Sequence, residues 1–83
     1  MGSFAIAYKD KNGNGFSETK PWILDDFGDD REACMKKALE MTKEGYIMVI
    51  PFQFGKRKRE EYSWKYVRQH RLPYEFSGCE AVL

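Results

Sequence analysis

The residues best suited to recognition or chemistry gather between Lys56 and Arg71. Lys56, Arg57, Lys58 and Arg59 form an unbroken basic run, and Lys65, Arg68 and Arg71 continue it past two glutamates. Tyr62, Trp64 and Tyr66 are interleaved with these cations. Cations hold phosphates and aromatic faces stack on bases, so this composition fits a single-stranded nucleic-acid surface. Arginine, tyrosine and tryptophan also dominate the energetics of protein interfaces, so the same segment fits a protein partner.

His70 is the one histidine of the chain and lies in the run Arg68-Gln69-His70-Arg71. A histidine beside arginines can contact an anion or move a proton. A small ribonuclease built on Tyr66, His70 and Arg71 is compatible with these residue types, but no second histidine shares the acid and base roles. Cys34 and Cys79 are not spaced as a metal pair, and Cys34 falls on an apolar stripe. One histidine and two separated cysteines do not assemble the four ligands of a structural zinc site. No catalytic residue, metal site or cofactor is therefore expected.

Two acidic features have the composition of cation sites. Asp10-x-Asn12-x-Asn14-Gly15 copies the first half of a calcium-binding loop, but the twelfth position holds Pro21 where a bidentate glutamate belongs. Two Asn-Gly pairs in succession read instead as a turn. Asp25, Asp26, Asp29 and Asp30 could hold a magnesium ion or mimic phosphates toward a basic partner. Aspartates at a helix start also serve as caps and complement the helix dipole, which is the stronger reading.

The elements that must position these groups follow from periodicity. Phe4, Ile6 and Tyr8 alternate with Ala5 and Ala7, which predicts a strand with one small face. The chain returns over Phe16 to Leu24, with Phe16, Trp22 and Leu24 in step, as the second arm of a hairpin interrupted at Pro21. Asp29 as N-cap and Glu32 three residues later open a helix to about Glu44, and Gly45 ends it. Cys34, Met35, Ala38, Leu39, Met41 and Thr42 form its apolar stripe. Tyr46 to Phe54 is apolar on both faces at first and is expected to be the central strand. Glu61 to Arg71 alternates and reads as a fourth strand, and Tyr74 and Phe76 suggest a fifth. The shared face of Tyr62, Trp64 and Tyr66 serves either to cover the core or to stack on a ligand. The expected fold class is α+β, ordered β-β-α-β-β(-β), with one helix on one face of a mainly antiparallel sheet.

With 83 residues the chain has room for a single domain, 1–83. The charged share of 33% and apolar share of 42% fit a folded domain, and 13 aromatic rings exceed what so small a core needs. Net charge is +1, yet residues 1–32 sum to −3 and residues 56–83 to +3. Such a gradient suits a charged partner. The absence of an apolar run of membrane-spanning length and of a signal-peptide core leads to the expectation of a cytoplasmic protein with reduced thiols and no membrane contact.

Two functional expectations follow. The preferred one is a non-enzymatic protein-binding module. In size and style it resembles the small phage and mobile-element inhibitors of host defence, the anti-CRISPR proteins among them. The resemblance implies a host protein or nucleoprotein complex as partner, blocked by steric and electrostatic occlusion. The alternative is an RNA- or DNA-binding protein. Either is compatible with a homodimer formed across a bare sheet face or edge. Both place the binding surface at Lys56, Arg57, Lys58, Arg59, Trp64, Lys65, Arg68, His70 and Arg71, with Asp25, Asp26, Asp29 and Asp30 as a secondary patch.

Overall fold

The computed structural model describes residues 2–55 and 62–73. Among them the element order is β1 (Ser3–Lys9), β2 (Trp22–Leu24), α1 (Arg31–Lys43), β3 (Ile47–Phe54) and α2 (Trp64–Gln69). The α+β class holds, with a three-stranded antiparallel sheet in the order β2-β1-β3. The basic run from Lys56 to Arg59, the suggested fifth strand and Cys79 lie outside the described residues.

β1 rather than β3 is central: it pairs with β2 along one edge and β3 along the other, and both of its faces are buried. Phe4 and Ile6 face α1, where Cys34, Ala38, Met41 and Val49 complete one core cluster. Ala5 and Ala7 face the other way, and their small side chains let Ile50, Phe52, Tyr62, Trp64 and Val67 pack closely against the sheet. The second face is thus covered by α2 and the residue before it, and the molecule has three layers where one helix and a bare face were expected.

β3 tolerates Pro51 for a geometric reason. The Pro51 carbonyl accepts from the Leu72 N–H at 2.9 Å, and the Gln53 N–H donates to the His70 carbonyl at 3.1 Å. Alternate residues of β3 therefore turn their backbone groups away from β1, and the missing proline N–H removes no bond to β1. Residues 70–72 close this outer side, with an antiparallel bridge between Phe52 and Arg71.

Three local expectations are corrected. The α1 cap is Asp30, whose carboxylate accepts from the Ala33 N–H at 3.0 Å, so Asp29 and Glu32 form no capping box. The predicted hairpin arm from Phe16 shrinks to Trp22–Leu24, because Asp10 folds the preceding residues into a compact turn. Its Oδ1 accepts from the Asn12 and Asn14 N–H groups at 2.9 and 2.8 Å. Residues 64–69 are a helix, not a strand. Ser63 caps it by accepting from the Tyr66 N–H at 3.2 Å, and Trp64 and Val67 are buried one turn apart. Tyr62 precedes the helix and so never shares its wheel with Trp64, which removes the objection to a helix here. Among the described residues no helix is long and apolar enough to cross a membrane.

Candidate functional site

Of the expected site residues that the structure describes, Trp64, Lys65, Arg68, His70 and Arg71 divide between two clefts, whereas Asp25, Asp26, Asp29 and Asp30 line neither. The first has a volume of ≈ 500 Å³ and contains Trp64, Lys65 and Arg68 together with Lys9, Glu18, Thr19, Met48 and Ser63. The second, of ≈ 510 Å³, contains His70 and Arg71 with Gly2, Gln53, Phe54, Gly55, Leu72 and Pro73.

The first cleft is assembled from four elements. Lys9 ends β1. Glu18 and Thr19 come from the loop before β2, which is held against α2 by the Trp64 N–H donating to the Thr19 carbonyl at 3.0 Å. Met48 enters through a β-bulge: Ala7 pairs with Ile50 and Lys9 with Ile47, so three steps on β3 answer two on β1. Met48 has φ of 57°, a left-handed conformation that costs a non-glycine residue about 1–2 kcal/mol. Ser63 and the first turn of α2 complete the wall.

Its electrostatics are lopsided. Lys9, Lys65 and Arg68 oppose Glu18, and among the described residues none of these three cations has an ion pair. Arg68 lies over the Trp64 ring at 5.8 Å from its centre. The Trp64 indole N–H is buried and, among the described residues, has no acceptor. The ring itself is only 8% exposed and Tyr62 is fully buried, so these two rings belong to the core and are not free to stack on bases.

In the second cleft His70 stacks on Tyr66 at 4.1 Å between ring centres, and Tyr66 on Tyr62 at 5.1 Å. His70 Nδ1 lies 2.9 Å from the Tyr66 carbonyl, which can only accept, so Nδ1 carries a proton. This fixes the ring and leaves Nε2 as its remaining polar atom. Among the described residues no three His, Cys, Asp or Glu side chains converge to hold a metal ion. Asp30 is occupied as the α1 cap. Cys34 donates to the Ala5 carbonyl at 3.5 Å, and burial pushes its thiol up to about 12 against a small opposing effect of Arg31. Such a thiol is not a nucleophile at neutral pH.

A third surface was not anticipated as a binding site. Phe16 and Trp22 are 61% and 41% exposed and meet edge to face at 5.6 Å. Trp22 stands directly across from Tyr8 in the sheet, and Tyr8 meets Tyr46 edge to face at 5.4 Å. Lys11 lies over the Tyr46 ring at 5.3 Å. Two ring pairs thus lie on this part of the molecule: Phe16 and Trp22 exposed, and Tyr8 and Tyr46 half-buried against the α1-side core. The sequence signal was the polar stretch Ser17-Glu18-Thr19-Lys20, which marks a loop and leaves Phe16 without a strand to bury it. No protein-family model matches this sequence, and neither a curated protein nor a solved structure matches it.

Proposed function

We propose that this chain is a non-enzymatic protein-binding module. The observation that carries the reading is the exposed aromatic pair Phe16 and Trp22, with Tyr8 and Tyr46 half-buried against the core beside it. Exposed adjoining rings match the residue types that anchor protein interfaces. The finer reading is an inhibitor in the style of the phage and mobile-element proteins directed at host defence complexes. It rests on size, the lack of a catalytic constellation in the sequence, and the uneven charge along the chain. A three-layer domain with exposed rings on its surface suits a role of covering a target's working surface.

Nucleic-acid binding is the second reading, favoured by Lys9, Lys65 and Arg68, which have no ion pair among the described residues. It is weakened by the burial of Tyr62 and Trp64, which withdraws the stacking surface that the sequence had suggested. The test is capture of a defined partner from nuclease-treated host lysate by the wild-type chain and by a Phe16→Ser, Trp22→Ser variant. The protein-binding reading expects capture by the wild type and at least ~100-fold weaker binding by the variant, the loss typical of two interface anchors. Recovery of proteins only while nucleic acid is intact would favour the second reading.

A further inference from the structure

We propose that the cleft bounded by Lys9, Met48, Trp64 and Arg68 is a second docking site, which takes an acidic, partly apolar peptide segment of a partner protein. The proposal rests on the reading of the chain as a protein binder, but it uses a different surface from Phe16 and Trp22. Ile23, opposite Ala7, packs with the α2 layer, whereas Trp22, opposite Tyr8, faces the α1 side.

Charge gives the first argument. Lys9, Lys65 and Arg68 line one cavity with a single carboxylate, Glu18, and among the described residues none of the three has an ion pair, so an acidic segment complements the cleft. Shape gives the second. A cleft of ≈ 500 Å³ falls in the range of about 300–1,000 Å³ that holds ligand-sized groups. Its walls are mixed: Met48 and Trp64 are apolar, and the cations stand among them. Glutamate or aspartate beside leucine-like neighbours matches that mixture. A continuous phosphate backbone matches it less well, because Glu18 shares the wall and the rings of Tyr62 and Trp64 are committed to the core.

Two features of the cleft bear on what it could hold. The Trp64 indole N–H is buried with no acceptor among the described residues, and Arg68 covers its ring. Met48 holds a left-handed backbone at the bulge, where glycine would be unstrained. Keeping a methionine there keeps a flexible, adaptable side chain in the cleft, the type of residue that accommodates varied apolar partners.

The experiment uses a fluorescently labelled peptide of alternating glutamate and leucine, its glutamine counterpart, and a single-stranded DNA oligonucleotide. Each is titrated with the full chain at low and high salt while anisotropy is recorded. The indole cross-peaks of Trp64 and Trp22 are followed by NMR. The glutamate peptide is expected to bind at least ~10-fold more tightly than the glutamine peptide and the oligonucleotide. Lys65→Glu with Arg68→Glu should weaken it a further ~10-fold or more, and the milder Lys65→Gln with Arg68→Gln by less. The Trp64 cross-peak should move and the Trp22 cross-peak should stay. Tighter binding of the oligonucleotide overturns the proposal, as does a peptide affinity insensitive to these charges or a stationary Trp64 signal. None of these failures touches partner capture through Phe16 and Trp22, which the Phe16→Ser, Trp22→Ser variant tests separately.

Discussion

At the scale of single residues, Met48 and Cys34 show two ways in which this small fold departs from relaxed chemistry. Met48 occupies a left-handed backbone at φ 57°. A β-branched side chain suffers most in that region. Met48→Val is therefore expected to destabilise the protein by about 1–3 kcal/mol, whereas Met48→Gly should lie closer to the wild type because relief of strain offsets lost packing. Urea unfolding of the three proteins checks the order. Cys34 is protonated in the folded state well above its ordinary value of 9.0, up to about 12, because burial disfavours the thiolate. Tyr8 is shifted upward from 10.0, first by burial and then by Tyr46 and Asp10. Both groups titrate more readily in the unfolded chain, so the stability they carry is complete below pH 9 and falls as pH rises toward 12. Melting temperatures across that window should drop, and Cys34→Ala, though less stable at neutral pH, should show a shallower fall.

At the scale of elements, the sequence reading succeeded where one period ran long enough to be unambiguous. β1, α1 and β3 each present a buried face that matches its apolar spacing. It failed where tertiary contacts decide. Tyr62, Trp64 and Tyr66 alternate as in a strand, but Ser63 caps a helix between the first two and places Trp64 and Val67 inward. Only the sheet's small alanine face explains why that helix docks there, and the alanines lie far away in sequence. Phe16 appeared in step with Trp22 and Leu24, yet the Asp10 turn uses the residues that would have paired. Of the candidate site, Trp64, Lys65 and Arg68 were legible as one group, whereas Lys9 and Met48 join them only through the bulge. Caps offer a sharp check. Asp30→Ala and Ser63→Ala should each cost about 1 kcal/mol, while Asp29→Ala should cost under ~0.5 kcal/mol. Tyr62→Ala should cost about 3–5 kcal/mol as a core truncation, far above the loss expected of a surface ring.

At the scale of the molecule, a three-stranded sheet carries a core on each face. What remains outside is divided by the sheet. The exposed pair Phe16 and Trp22, with Tyr8 and Tyr46 half-buried beside it, lies on the α1 side, and the cationic cleft lies on the α2 side. On the proposed reading, the exposed rings on one side would give affinity for a larger protein, and the cations, without ion pairs among the described residues, would give orientation. The most direct measurement is the affinity of a captured, nucleic-acid-free partner for the wild type and for Phe16→Ser with Trp22→Ser, with circular dichroism confirming an unchanged fold. The account predicts a loss of at least ~100-fold with melting nearly unaltered. Equal affinity in the two proteins would contradict it.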